Sequence, residues 1–201
     1  MAKLRKAHRL MARLLAVFLL LHLAHHLTLL GGTGAHLALG AWLAPLYRFV
    51  PLTVLLTIGF AAQAALGLVI AWRRGWPRTR WPRAQLVSGP YLAFFMAQHI
   101  GEVLLARAEG VVETNTHFAA AGLHIWPLSL YFIPYYALAI FALFVHLAAV
   151  LRRRAGPRPA AALALFGLGF GIAVSAGLAG LFGGPNPPQV YLDALRQTLG
   201  L

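Results

Sequence analysis

The chain has 201 residues, 60% of them hydrophobic and 10% charged, with 17 lysines and arginines against four acids and a formal charge of +13. So apolar a composition excludes a soluble globule. Its basic residues sit in short clusters between apolar runs, which marks membrane-protein loops rather than a nucleic-acid surface, and the absence of cysteine excludes cysteine-held iron–sulfur clusters, c-type haem attachment and disulfides.

The N-terminal stretch MAKLRKAHRLMAR carries Lys3, Arg5, Lys6, Arg9 and Arg13 and leads into an apolar run from Leu14 to Leu30. It resembles the n- and h-regions of a signal peptide. The run is long and holds His22, His25 and His26, so it reads as a retained first span. Residues 31–48 form a connector in which His36 and Trp42 fall on a short interfacial helix. Span 2 runs from Val50 to Trp72 and ends in RRGWPRTRWPR, a surface loop with five arginines and two tryptophans.

Span 3 covers Gln85 to Ala106. The following segment to Trp126 contains Glu109, Glu113, His117 and His124. Span 4 runs from Pro127 to Leu151 and is closed by Arg152, Arg153, Arg154 and Arg158. Span 5, residues 159–182, is Gly/Ala-rich, with Gly167 and Gly171 at the GxxxG spacing that lets helix backbones approach in lipid. The tail, residues 187–201, has a proline break and then a short amphipathic helix.

Two internal echoes suggest a duplication, and repeats of this kind govern how the rest is read. Met11–His22 aligns without a gap on Ser88–His99, with four identities: Leu15, Ala16, Phe18 and His22 on Leu92, Ala93, Phe95 and His99. Further on, WLAPLYRFVP from Trp42 matches WPLSLYFIP from Trp126, keeping Trp, Leu and Tyr in step. The expectation is a single all-α membrane domain, 1–201. It comprises two parallel hairpin repeats (11–73 and 88–152) forming a four-helix bundle, the Gly-rich fifth span and an external tail. In this register His22 is equivalent to His99, and Gln63 to His146.

Fourteen of the 17 basic residues lie before span 1, between spans 2 and 3, and between spans 4 and 5. Basic residues mark the cytoplasmic side. The expected location is a bacterial inner membrane, with the N-terminus cytoplasmic and the C-terminus external.

Ionisable side chains within spans mark pathways, cofactors or buried partners. His22 and His99, on equivalent helices, would present two imidazoles to the space between them. A b-type haem takes one axial nitrogen from each side, with Phe18, Phe94, Phe95 and Met96 as walls. Helix-to-helix hydrogen bonding is the structural alternative for the same histidines. His26, one turn beyond His22, is a substitute ligand. His146 is a further candidate, unless it merely bonds a partner such as Gln63. His25 and Glu102, also equivalent, would orient an imidazole or carry protons to a quinone, or reach for headgroups. His36 and His117, in the connectors, are expected to have no part in the site. A competing reading takes His22, His25 and His26 as the HxxHH box of membrane di-iron enzymes, though no second box accompanies it.

The Ser-Gly…His helix, the second histidine on a later span and the five-span layout resemble the cytochrome b membrane anchor of succinate dehydrogenases and fumarate reductases. They are also similar to five-span mitochondrial outer-membrane proteins associated with lipid homeostasis. The first resemblance implies an electron-transfer or anchor subunit rather than a stand-alone enzyme. It would bind haem b through His22 and His99 as iron ligands, linked to a membrane quinone and a redox partner subunit. Gln63 occupies the place where a second axial pair would need a histidine, so one haem is expected. No catalytic residue and no nucleic-acid partner are expected. The other partners are the lipid bilayer and a second copy of the chain through span 5. The second resemblance implies a non-catalytic scaffold or lipid-handling protein with structural histidines.

Overall fold

A computed structural model describes residues 1–201, and every regular element is helical. Five long helices, α1 (Ala2–Leu27), α3 (Val50–Arg74), α4 (Arg80–Glu109), α6 (Ser129–Ala155) and α7 (Pro157–Leu178), run antiparallel in succession. Short helices join them or follow them: α2 (Thr33–Arg48), α5 (Thr116–Ala121) and α8 (Gln189–Leu199). Each expected span falls within one long helix, apart from a few residues at the edges of spans 1, 4 and 5. Four of the five helices, all but α4, are long and apolar enough to cross a membrane. The chain is a helical membrane protein.

The outward faces agree with a lipid surround. Leu14 and Val17 on α1, Leu55 and Ile58 on α3, and Leu165 and Phe166 on α7 are all exposed. A helix apolar on both its packed and its outward side suits a bilayer rather than water. Exposed tryptophans stand at both ends, Trp72 and Trp76 at one and Trp42 and Trp126 at the other, the position that amphipathic indoles favour.

α1 packs on α3, α3 on α4, and α4 on α6, while α6 and α7 form the closest pair. That closeness is encoded in two ways. Gly156 is the only residue between α6 and α7, and its φ of +87° reverses the chain at once. The GxxxG pair then lies against α6: a Cβ on Gly167 would strike Phe144, and one on Gly171 would strike the backbone of Ala137. Ser175 of α7 donates from Oγ to the carbonyl of Ile133 at 3.1 Å. The small-residue stripe is thus taken up inside the chain. Gly177 extends it, backing onto the side chain of the fully buried Leu29.

The buried core lies toward the end away from the arginines, where Leu29, Leu123, Phe132, Tyr135, Phe170 and Leu178 meet. His124 pins the second connector there, donating from Nε2 to the Leu178 carbonyl at 3.0 Å. The amphipathic tail helix α8 docks on α5, with Asn115 Nδ2 donating to the Tyr191 hydroxyl at 2.8 Å.

Candidate functional site

The site is built where the last turns of α1 meet the connector helix α2 and the middle of α4. His22 and His26 are one helical turn apart, so they share a face. Their Nε2 atoms are 3.2 Å apart, one donating to the other. The Nδ1 atoms of both rings are buried without a partner. In this neutral pair one ring carries an unpartnered N–H and the other a bare nitrogen, and each unsatisfied group costs about 1–3 kcal/mol.

Across from them stands His99 of α4. Its ring centroid is 6.1 Å from that of His22. α1 packs chiefly on α3 and only sparsely on α4, so this ring pair is one of the few places where α1 and α4 meet. Each is backed by an aromatic: Phe18 stacks on His22 at 5.6 Å and Phe95 on His99 at 5.2 Å. Both are expected walls. Phe94 is not one, because its side chain is exposed on the lipid-facing side. Tyr47 closes the far end, with its ring 6.1 Å from His22 and its hydroxyl buried without a partner.

His25 does not join this group. Its Nε2–H donates to the carbonyl of His36 at 3.0 Å, and His36 Nδ1–H donates back to the carbonyl of His25 at 3.0 Å. Carbonyl oxygens only accept, so these bonds fix the tautomer of each ring. The rings stack 4.0 Å apart, nearly parallel. Thr28 Oγ also donates to the His25 carbonyl at 2.7 Å, and Gly40 leaves room for the ring, since a Cβ there would sit 3.2 Å from His25 Nε2. Two expectations are corrected here. His25 is a clasp that folds α2 back on α1 rather than a support for an axial ligand. His36 belongs to the site's frame and is 2% exposed, because the fold-back buries a connector residue.

Glu102 likewise does not reach His99. It accepts from Gln98 Nε2 at 2.8 Å, and Gln98 Oε1 accepts in turn from the Tyr131 hydroxyl. This polar line on α4 ends at an exposed tyrosine of α6. The duplicated Trp-Leu-Tyr spacing was the signal that could have singled out Tyr47 and Tyr131.

The second set lies toward the arginine-rich end. His146 and Gln63 do not bond each other. Gln63 Nε2 donates to His8 Nε2 at 3.3 Å, and His146 Nδ1 meets Ser88 Oγ at 3.2 Å. Each turns to an earlier long helix instead, Gln63 of α3 to α1 and His146 of α6 to α4. A Cβ on Gly67 would sit 3.2 Å from His8, and one on Gly89 would sit 3.5 Å from His146. His8 was not singled out in the sequence because it lies among the N-terminal basic residues.

Two imidazoles that share one metal atom through bonds of about 2 Å place their ring centroids about 6 Å apart. The His22–His99 separation fits a group that takes one ligand from each of two helices, and the orphaned Nδ1 of His22 adds a polar atom still in need of a partner. The site does not fit a bare ion held by three or more side chains, because no such group of His, Asp or Glu converges anywhere in the chain. The HxxHH box is split, with His25 turned away.

No family model, curated protein or solved structure matches this chain.

Proposed function

We propose that the protein is a haem b-binding electron-transfer subunit of a membrane, with His22 and His99 as the axial pair. The observation that carries this reading is the approach of two imidazoles, each stacked on a phenylalanine, from two helices that pack chiefly on other partners. His22 and His99 would hold the haem iron, which would supply single-electron transfer. Phe18 and Phe95 orient the two rings and keep water from them. His26 holds the second nitrogen-bearing ring against His22 and is the nearest substitute for it. The electron partner implied is a membrane quinone, and Glu102 of α4 and Tyr131 of α6, linked through the Gln98 amide, are the groups that would carry its protons. The proposed topology has five crossings, with both the N-terminus and the Arg152–Arg158 cluster in the cytoplasm.

Protein produced with ample haem should give a reduced-minus-oxidised spectrum of low-spin b haem. His22→Ala and His99→Ala should each abolish that spectrum or make it high-spin. His117→Ala, on the far connector, should leave it unchanged. A low-spin spectrum that survives in His22→Ala would move the ligand to His26, whereas loss in His146→Gln alone would sink the axial assignment. The rival is a non-catalytic scaffold or lipid-handling protein, favoured by the reciprocal His25–His36 bonds, which have a purely structural use. A colourless but folded, monodisperse wild type would decide for it.

A further inference from the structure

The structure assigns the arginine-rich end a binding site for the phosphate of an anionic phospholipid, in the cleft between the start of α4 and the end of α6. A cavity of about 370 Å³ opens there, lined by seven residues, among them Arg80, Trp81, Arg152 and Arg153. Three of the seven carry guanidinium groups and none is acidic.

The charge at this end has no counter-charge within the protein. The chain's four acids are Glu102, Glu109, Glu113 and Asp193, and all lie in the far half of α4 or beyond it at the opposite end. Both ion pairs, Arg48–Glu113 and Arg196–Asp193, form there. At the arginine-rich end the guanidiniums share neutral oxygens instead. Arg74 Nη1 and Arg153 Nη2 both donate to one atom, Gln85 Oε1, at 3.3 and 3.4 Å. Burial first, and then the positive charges of Arg153 and Arg5, push the Arg74 pKa down. Two like charges drawn to one amide oxygen are held by the fold and would be stabilised by an anion beside them.

The chemistry of the cleft selects the anion. Guanidinium forks match the oxygens of a phosphate, and arginine is the preferred residue for that geometry. The depth of the cleft selects the source. It lies at the ends of membrane-spanning helices, near exposed Trp72 and Trp76, at the level of lipid headgroups rather than above it. Basic pockets between spanning helices hold anionic headgroups there. Trp81 gives the cleft an apolar wall on which the glycerol and upper acyl carbons can lie.

The test uses the full-length protein in a neutral detergent, with binding of added phosphatidylglycerol followed by native mass spectrometry and by the rise in unfolding temperature. Phosphatidylcholine of the same acyl chains and inorganic phosphate are the comparison probes. Wild type should prefer phosphatidylglycerol. Arg80→Gln, Arg152→Gln and Arg153→Gln together should lower its apparent affinity, by roughly fivefold per arginine removed. Lys3→Gln, Lys6→Gln and Arg9→Gln, which remove the same charge from the exposed start of α1, should stay within about twofold of wild type. Equal loss in both triple variants would overturn the site, leaving diffuse attraction to the whole end. Equal stabilisation by phosphatidylcholine would overturn the recognition of charge. Full stabilisation by inorganic phosphate alone would overturn the assignment to lipid. If the first triple variant does not fold, Arg152→Lys with Arg153→Lys keeps the charge and removes the fork. An unchanged lipid preference in that variant overturns the proposal, and a reduced one supports it.

Discussion

His36 shows how much a single connector residue carries. Its ring is held between His25 and His26, with centroids at 4.0 and 5.5 Å, and its Nδ1–H is given to the His25 carbonyl. His36→Ala removes both that donor and the packing of the ring; the His25 carbonyl keeps Thr28 Oγ as a donor, so the lost hydrogen bond costs only about 0.5–1.5 kcal/mol beyond the lost packing. A fall in detergent unfolding temperature, with the helical content retained, is the expected result. Burial, helped by the nearby His25, pushes the His36 pKa down from the ordinary 6.5 to about 4. A base with a depressed native pKa is held neutral in the folded state, so between those two values the unfolded chain binds more protons. Stability should therefore be full above pH 6.5 and fall as the pH drops toward 4, by up to about 1.4 kcal/mol per pH unit from this residue. His36→Gln should unfold with a shallower pH dependence than wild type over that window; an equal slope would mean that other groups set it. The His22–His99 approach was legible because the two histidines stand at matching places in the Met11–His22 and Ser88–His99 echo. The His25–His36 clasp could not. The two are 11 residues apart across a helix break at Gly32, and no helical period relates them.

Among the elements, α6 and α7 offer the sharpest comparison. Gly171 touches backbone, the Ala137 carbonyl, which cannot step aside, whereas Gly169 on the same helix has nothing within 4 Å. Gly171→Ala should force the helices apart and cost about 1–3 kcal/mol, the usual range for overpacking. Gly169→Ala should be neutral or slightly stabilising, because alanine favours helix over glycine. Denaturant or thermal unfolding of the two variants side by side checks this, and equal effects would remove the close-packing account. The GxxxG spacing made such packing legible, but not its direction, since a small-residue stripe suits α6 as well as a second copy of the chain. The ends of the long helices were legible wherever glycine, proline or arginine clusters stood. Gly156 and Pro157 mark one such boundary. α4 was harder to judge, because Gln85, Ser88, Gln98, His99 and Glu102 are spread along it and dilute its apolar character.

On the scale of the whole molecule, the position of α4 decides how many times the chain crosses. Its start lies at the arginine-rich end, where Gln85 accepts from Arg74 and Arg153. Its last turns lie at the far end, where Arg107 donates to the Tyr47 carbonyl at 3.2 Å. A 30-residue helix is about 45 Å long at 1.5 Å per residue, enough to cross the hydrocarbon core and both headgroup layers. Its polar side chains find partners: Ser88 meets His146 of α6, Gln98 bonds Glu102 one turn on, and Tyr131 of α6 donates to Gln98. Hydrogen-bond partners on α6 and within α4 lower the cost of its polar side chains in lipid, which a hydropathy average over α4 alone does not count. With fourteen of 17 basic residues at one end, a topology reporter fused after Arg158 should read cytoplasm and one fused after Leu201 should read the exterior. A third fusion, in the loop before α5 at Val112, isolates α4. Five crossings put Val112 outside, opposite Arg158. If Val112 instead reports the cytoplasm, α4 does not cross, and His99 would not stand beside His22 within the membrane.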